Sequence, residues 1–175
     1  MRSIEPIAKF DLAFSLFCLT HKFAQPISRL SKSISHTGDG HLYVLLGLVA
    51  YFLGESEGKH FVAAALLAFV IELPVYWLCK NLFKRRRPQE LSELVTSYIT
   101  PSDRYSLPSG HTAAAFLMAT MISHFYPEMS WFVLAWASLI GAARVLLGVH
   151  FLTDVLLGAL LGLGCAQLAF ILLGG

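Results

Sequence analysis

The stretch from His150 to Leu173, HFLTDVLLGALLGLGCAQLAFILL, decides how this chain folds. After Asp154 it carries no charged residue, and about 20 apolar residues suffice for a helix to cross a bilayer. Four further stretches have the same character: 41–53, 60–82, 109–126 and 130–147. The shortest, 41–53, needs its flanks to cross. One such stretch could be a buried helix of a soluble protein, but five in succession predict an all-α, integral-membrane helical bundle.

Composition agrees. The 175 residues are 56% hydrophobic and 14% charged, whereas a soluble domain carries about a quarter charged residues. Most of the surface therefore faces something other than water. The length predicts one membrane-embedded domain spanning 1–175. Net charge is only +2, with basic residues clustered between Lys80 and Arg87. In so apolar a chain that cluster points to a phosphate site or a membrane surface, not to nucleic acid. Cys18, Cys79 and Cys165 lie in apolar segments at spacings that suggest neither a metal site nor a disulfide framework.

Segment 7–23 reads either as a sixth span or as a helix lying in the interface, because Lys9 and Asp11 interrupt its apolar body and no cleavage pattern marks a signal peptide. The stretch through Pro26, Arg29 and Lys32 to Asp39-Gly40 is polar with turn signals. Leu91, Leu94, Val95, Tyr98 and Ile99 repeat at helical spacing opposite Glu90, Glu93 and Ser97. That pattern predicts a short amphipathic helix near 89–100, resting on the membrane or on protein. Gly158 and Gly162 form a small-residue pair suited to close helix packing. Glu72, deep in an apolar helix, needs either a partner or a wet cavity.

Three motifs carry chemistry. Lys80 stands seven residues before Arg87-Pro88; Pro108-Ser109-Gly110-His111 opens a predicted helix; Arg144, His150 and Asp154 follow six and then four residues apart. Counting passes puts all three on one side of the membrane. A phosphoryl group in transfer spreads charge over its oxygens, so catalysis is mainly positioning and electrostatics. Lys80, Arg87 and Arg144 supply fixed positive charge, and arginine's planar fork suits phosphate. Ser109 is a good N-cap whose helix start offers free N–H groups, and Gly110 lets an anion approach the backbone. His150 and Asp154, four apart on a helix, share a face. Asp154 then fixes the imidazole tautomer so that His150 attacks, while His111 protonates the leaving oxygen and later activates water. Three ligands for a metal exist in His111, His150 and Asp154, but the neighbouring cations would repel a divalent ion. The expected metal and cofactor content is none.

These motifs resemble the signature of the type 2 phosphatidic acid phosphatase superfamily. The match covers Lys80, Arg87, Pro88, Pro108, Ser109, Gly110, His111, Arg144, His150 and Asp154; Ala143 stands where the pattern has serine. The resemblance implies a bundle of about six helices and a metal-independent lipid phosphatase working through a phosphohistidine. It also implies catalytic roles for His150, His111 and Asp154, and phosphate binding by Lys80, Arg87, Ser109, Gly110 and Arg144. Small bacterial members point to undecaprenyl diphosphate, with phosphatidylglycerophosphate or phosphatidic acid as alternatives, presented laterally from the bilayer. A lipid-dependent phosphotransferase would share every motif residue, and a non-catalytic membrane binding or transport protein would need only the anion pocket. Lys22, Arg29, Lys32, Lys84, Arg85, Arg86 and Arg104 fall on the motif side, which the positive-inside rule would place in the cytoplasm. Some of those charges serve phosphate, and the resemblance favours a bacterial inner-membrane protein with a periplasmic site. Oligomeric state is not encoded in any of these features.

Overall fold

The computed structural model describes residues 5–174, and these form helices and turns with no strand. Helix α1 covers Glu5–Leu19, α2 Ala24–His36, α3 His41–Leu53 and α4 Glu55–Phe83. Then come the single turn α5 at Pro88–Leu91, α6 at Gly110–Phe125, a 3-10 turn at Pro127–Met129, α7 at Ser130–Leu146 and α8 at Leu152–Leu173. All five expected spans are helical. Three segments are long and apolar enough on their own to cross a membrane: Glu55–Leu91, Pro127–Leu146 and Leu152–Leu173. Helices α3 and α6 are shorter, at 13 and 16 residues.

Small side chains set the packing. Ala113, Ala115 and Ala119 on α6, Ala137 on α7, and Ala166 and Ala169 on α8 are all completely buried. Without a hydrophobic drive between helices in lipid, close backbone approach through such residues is what holds a bundle together. Helices α6 and α8 approach closely enough for backbone to meet backbone. A Cβ added at Gly158 would lie 2.5 Å from the Ser109 carbonyl oxygen, and one at Gly162 would lie 2.1 Å from that of Ala113. The glycine pair therefore packs within the chain. Large apolar side chains instead point outward, Phe17 at 78%, Leu82 at 70% and Trp131 at 88% exposure among them. In water they would form a patch far beyond what a soluble monomer tolerates, so they face lipid.

Three expectations need correction. The helix expected near 89–100 stops at Leu91, because Ser92 turns extended and its hydroxyl and carbonyl take the Leu94 and Val95 amides. Serine competes with the helix here, and the Tyr98 amide is drawn away to the Leu147 carbonyl. The apolar pattern is nonetheless used: Val95 is buried. The supposed turn-rich stretch after Pro26 is instead mostly α2, whose Ala24, Ser28, Ser31 and Ser35 form one buried face toward α7. Pro26 falls in its first turn, where a missing N–H costs nothing. Finally, α8 begins at Leu152, so His150 stands in the preceding turn and not on the helix.

Helix α1 settles against α7 and α8 with Asp11, Ser15 and Leu19 facing inward at four-residue spacing and Phe10 and Phe17 outward. At 15 residues it is too short to span unaided. The close α6–α8 contact gives a direct expectation. Gly162→Ala should lower stability in detergent by about 1–3 kcal/mol through overpacking. Gly164→Ala, where a Cβ meets nothing within 4 Å, should change it by less than about 0.5 kcal/mol. Thermal unfolding of the two variants side by side checks the pair, and equal midpoints would refute the packing argument.

Candidate active site

All three motifs meet at one end of the bundle. Lys80 occupies the last turn of α4, Arg87 precedes α5 with an extended backbone, and Pro88 takes the first helical position. Arg144 lies in the last turn of α7, and His150 in the turn before α8. That turn needs Gly148, whose φ is +73° and whose missing Cβ leaves room for the Thr96 carbonyl at 2.5 Å. The second and third motifs are joined through the backbone: the Ser109 amide donates to the Asp154 carbonyl at 3.0 Å.

The cations are buried and only partly satisfied. Lys80 Nζ donates to Asp103 Oδ1 and to the Tyr105 carbonyl, both at 2.6 Å. Arg87 Nη2 reaches the same Asp103 oxygen at 2.5 Å, and Nη1 donates to the Val149 carbonyl at 2.5 Å. Arg144 Nη1 donates to Ser35 Oγ at 2.9 Å. Arg87 Nε and Arg144 Nε are buried donors without a hydrogen-bond partner among the described residues, as is His150 Nδ1. Unpaired buried donors are costly and rare, and an anion in this site would satisfy such guanidinium groups.

Ser109 holds the N-cap backbone position of α6, but its hydroxyl accepts from Thr112 Oγ1 at 2.9 Å and does not cap the helix. At Gly110 a side chain would collide with the Tyr76 ring at 2.9 Å, so the glycine makes room for that ring. His111 faces a cavity of about 570 Å³ that Asp39, Tyr43, Phe69 and Arg144 also line. Its Nε2 lies 2.7 Å from Asp39 Oδ1, while His36 Nδ1 lies 2.6 Å from Asp39 Oδ2. Partial burial works to raise the Asp39 carboxyl, but hydrogen bonds from His111 and then His36 outweigh it and hold it below the ordinary range. Burial likewise works to raise Asp103, and its bonds from Lys80 and Tyr76 prevail, keeping it ionised.

His150 Nδ1 stands 3.7 Å from Asp154 Oδ2, longer than a hydrogen bond. That oxygen accepts the Phe151 amide at 2.8 Å, and the other accepts Arg85 Nη1 at 2.7 Å. Burial pushes the His150 imidazole down to about 4; the Asp154 contact works against that shift and the Arg144 charge with it. The ring is therefore neutral at physiological pH and has a lone pair to offer. Reading the sequence for motifs did not find Tyr76, Asp103, Asp39, Arg85 or Thr153 as site residues. Of these, Tyr76 carried a local signal one turn before Lys80 on α4, and Arg85 lay within the basic run from Lys80 to Arg87. Glu72 is buried within α4 and does not line the cavity. Among the described residues, no group of three or more His, Cys, Asp or Glu side chains is placed to hold a metal ion.

Comparison with known proteins gives this geometry a family. The PAP2 superfamily profile matches residues 57–174, the segment that contains all three motifs. The chain belongs to the PAP2 superfamily. It is 28% identical over 162 residues to the bacitracin transport permease protein BcrC of Bacillus licheniformis, covering 91% of this chain and 80% of that one. A probable lipid phosphate phosphatase beta of Arabidopsis thaliana is 27% identical over 142 residues, 64% of this chain and 65% of the plant protein. Among solved structures, Aquifex aeolicus LpxE superposes with a TM-score of 0.78 at 29% identity, covering 93% of this chain and 95% of that one. The transmembrane PAP2 type phosphatidylglycerolphosphate phosphatase of Bacillus subtilis gives 0.75 at 22% identity, covering 99% and 90%, a likeness of fold. PAP2 proteins of this group are lipid phosphatases, and the chain is an integral-membrane enzyme of that family.

The neutral imidazole has a consequence for stability. Below about pH 6.5 an unfolded chain protonates this histidine, whereas the folded one refuses the proton until about pH 4. The unfolded state then binds more protons, so stability falls as pH drops through that window. His150→Gln should flatten the loss of thermal stability between those pH values relative to the parent chain. Parallel curves would show that His150 is not held neutral.

Proposed function

We propose that this chain removes a phosphate or diphosphate-terminal phosphate from a lipid, with undecaprenyl diphosphate as substrate, through a phosphohistidine on His150. The observation that carries the reading is the set of buried, unpaired guanidinium donors, Arg87 Nε and Arg144 Nε, gathered with a neutral histidine. Lys80, Arg87 and Arg144, with the backbone at Ser109 and Gly110, hold the phosphate. Asp154 faces Nδ1 of His150 and leaves Nε2 to attack phosphorus. The N–P bond forms as the bond to the leaving oxygen breaks, and His111 gives that oxygen a proton. Nε2 of His111 is committed to Asp39, so His111 enters this step as the imidazolium, with Nδ1 giving up the proton and later taking one back from water. Water then attacks phosphorus, His111 takes its proton, the N–P bond breaks and inorganic phosphate leaves. No metal enters this scheme, because the three cations already supply the charge that a metal would.

The lipid reading draws on the cavity walls. Tyr43 and Phe69, which line the cavity beside His111, also line an apolar groove of about 330 Å³ between α3 and α4. A lipid whose headgroup reaches His111 could lay its first isoprene or acyl units there from the bilayer. We infer a bacterial inner-membrane protein with this site on the periplasmic face. A transport role, suggested by the name of the Bacillus licheniformis relative, needs an anion pocket but not a buried neutral histidine beside a carboxylate.

Purified protein should release phosphate from undecaprenyl diphosphate in EDTA, and His150→Ala should lose that release by at least a thousandfold. Phosphate from phosphatidylglycerophosphate instead would reassign the lipid; phosphate appearing on an acceptor would make the chain a transferase; release from neither would favour transport. Intact spheroplasts given a short-chain substrate report the side, since release only after permeabilisation would place the site in the cytoplasm. Gly47 lines the groove, and a side chain there meets nothing within 4 Å. Gly47→Leu should therefore raise KM for the long-chain lipid while sparing a short-chain one, and equal effects on both would refute the groove.

A further inference from the structure

Arg85 sits in the segment between α4 and α5, two residues from Arg87, yet its guanidinium turns to a different set of partners. Nη1 donates to Asp154 Oδ1 at 2.7 Å and to Thr153 Oγ1 at 2.6 Å, and Nη2 donates to Asp11 Oδ2 at 2.6 Å. Its plane lies 4.3 Å from the Phe151 ring centroid. Asp11, completely buried on α1, also accepts the Thr153 amide at 3.2 Å and the Thr153 hydroxyl. Two fully buried carboxylates thus share the Arg85 guanidinium. Such a guanidinium is not available to a substrate phosphate, because releasing it would leave both carboxylates unpaired in a low-dielectric interior.

What the cluster does fix is the Asp154 carboxylate. With Oδ1 on Arg85 and Oδ2 on the Phe151 amide, the group cannot rotate, and Oδ2 is the oxygen facing His150 Nδ1. We propose that Arg85, anchored by Asp11 of α1, is a positioning residue that holds the Asp154 carboxylate oriented toward His150. The proposal rests on the reading of His150 as nucleophile. It gives the N-terminal helix a part in catalysis, because α1 supplies the buried charge against which Arg85 is braced. Misplacing a reacting group by an ångström costs on the order of 100-fold in rate, and a loosened carboxylate should act on that scale.

The test is steady-state phosphate release by the full-length protein in detergent, from undecaprenyl diphosphate and from short-chain phosphatidic acid. Wild type and His150→Ala come first: an inactive wild type, or an active His150→Ala, brings down the phosphohistidine reading itself. Given an active wild type, Arg85→Ala should lower kcat about 100-fold with KM within twofold, and Arg85→Lys should recover part of the loss. In an Asp154→Asn background, Arg85→Ala should cost less than threefold further, because the two residues act as a unit. A raised KM with kcat preserved would make Arg85 a phosphate ligand and overturn the proposal. So would losses that multiply independently, or no loss at all. Because Arg85→Ala strands two buried carboxylates and can unfold the chain, Asp11→Asn and Arg85→Lys provide the second arm. Each should fold, shown by a single elution peak and a cooperative melt, and lower kcat severalfold at constant KM; full activity in both overturns the proposal.

Discussion

The notch that Gly158 and Gly162 cut in α8 receives the backbone of α6 at Ser109 and Ala113, and the geometry of the active end follows from that contact. Helix α6 brings Pro108 to His111, and α8 brings His150 and Asp154 just ahead of and within its first turn. With the two helices this close, the Ser109 amide reaches the Asp154 carbonyl at 3.0 Å, so two motifs far apart in sequence share a hydrogen bond. Helix α7 packs on the other side of α6 through Ala115, Ala119, Val133, Ala137 and Ile140 and delivers Arg144 to the same end. Helix α4 closes the group with Lys80. In lipid, where apolar burial gives little preference for one helix neighbour over another, such small-residue contacts determine which helices meet.

Much of this was legible in the sequence, because two kinds of signal are hard to erase. Long uncharged runs mark spans, and ionisable residues at their ends are too costly in a bilayer to be incidental. Lys80, Arg87, His111, Arg144, His150 and Asp154 stand out on that ground alone, and the single end of the bundle at which they lie agrees with the count of passes. Helix α2 was missed for a physical reason: its inward face is built from Ser28, Ser31 and Ser35, which read as loop in sequence. In the fold these serines let α2 lie close to α7, and Ser35 receives Arg144. The segment after Leu91 misled in the opposite sense, since its apolar spacing is helical but its serines claim the backbone for turns.

The acidic residues were the least legible. Asp11 was visible only as an interruption in an apolar run, although a lone carboxylate in such a place is itself a signal of a buried partner. Nothing local announces the tie from Asp39 to His111, 72 residues on, or those from Asp103 to Lys80 and Tyr76, 23 and 27 residues back. A motif records which residues are expected to carry the chemistry. It does not record the groups that hold those residues in place, and here they are mostly carboxylates set against the motif cations and histidines.

Asp103 has one more consequence, for the end of the catalytic cycle. Lys80 and Arg87 already share its carboxylate at 2.6 and 2.5 Å, so a phosphate bound as proposed would meet cations whose charge is half answered. Binding is then an exchange of one anion's share for another's, and not the filling of a bare positive well. Such a site gains less from capturing the ground state and surrenders less when inorganic phosphate departs. On the proposed reading, the resident carboxylate would temper the grip of the pocket and favour product escape over retention.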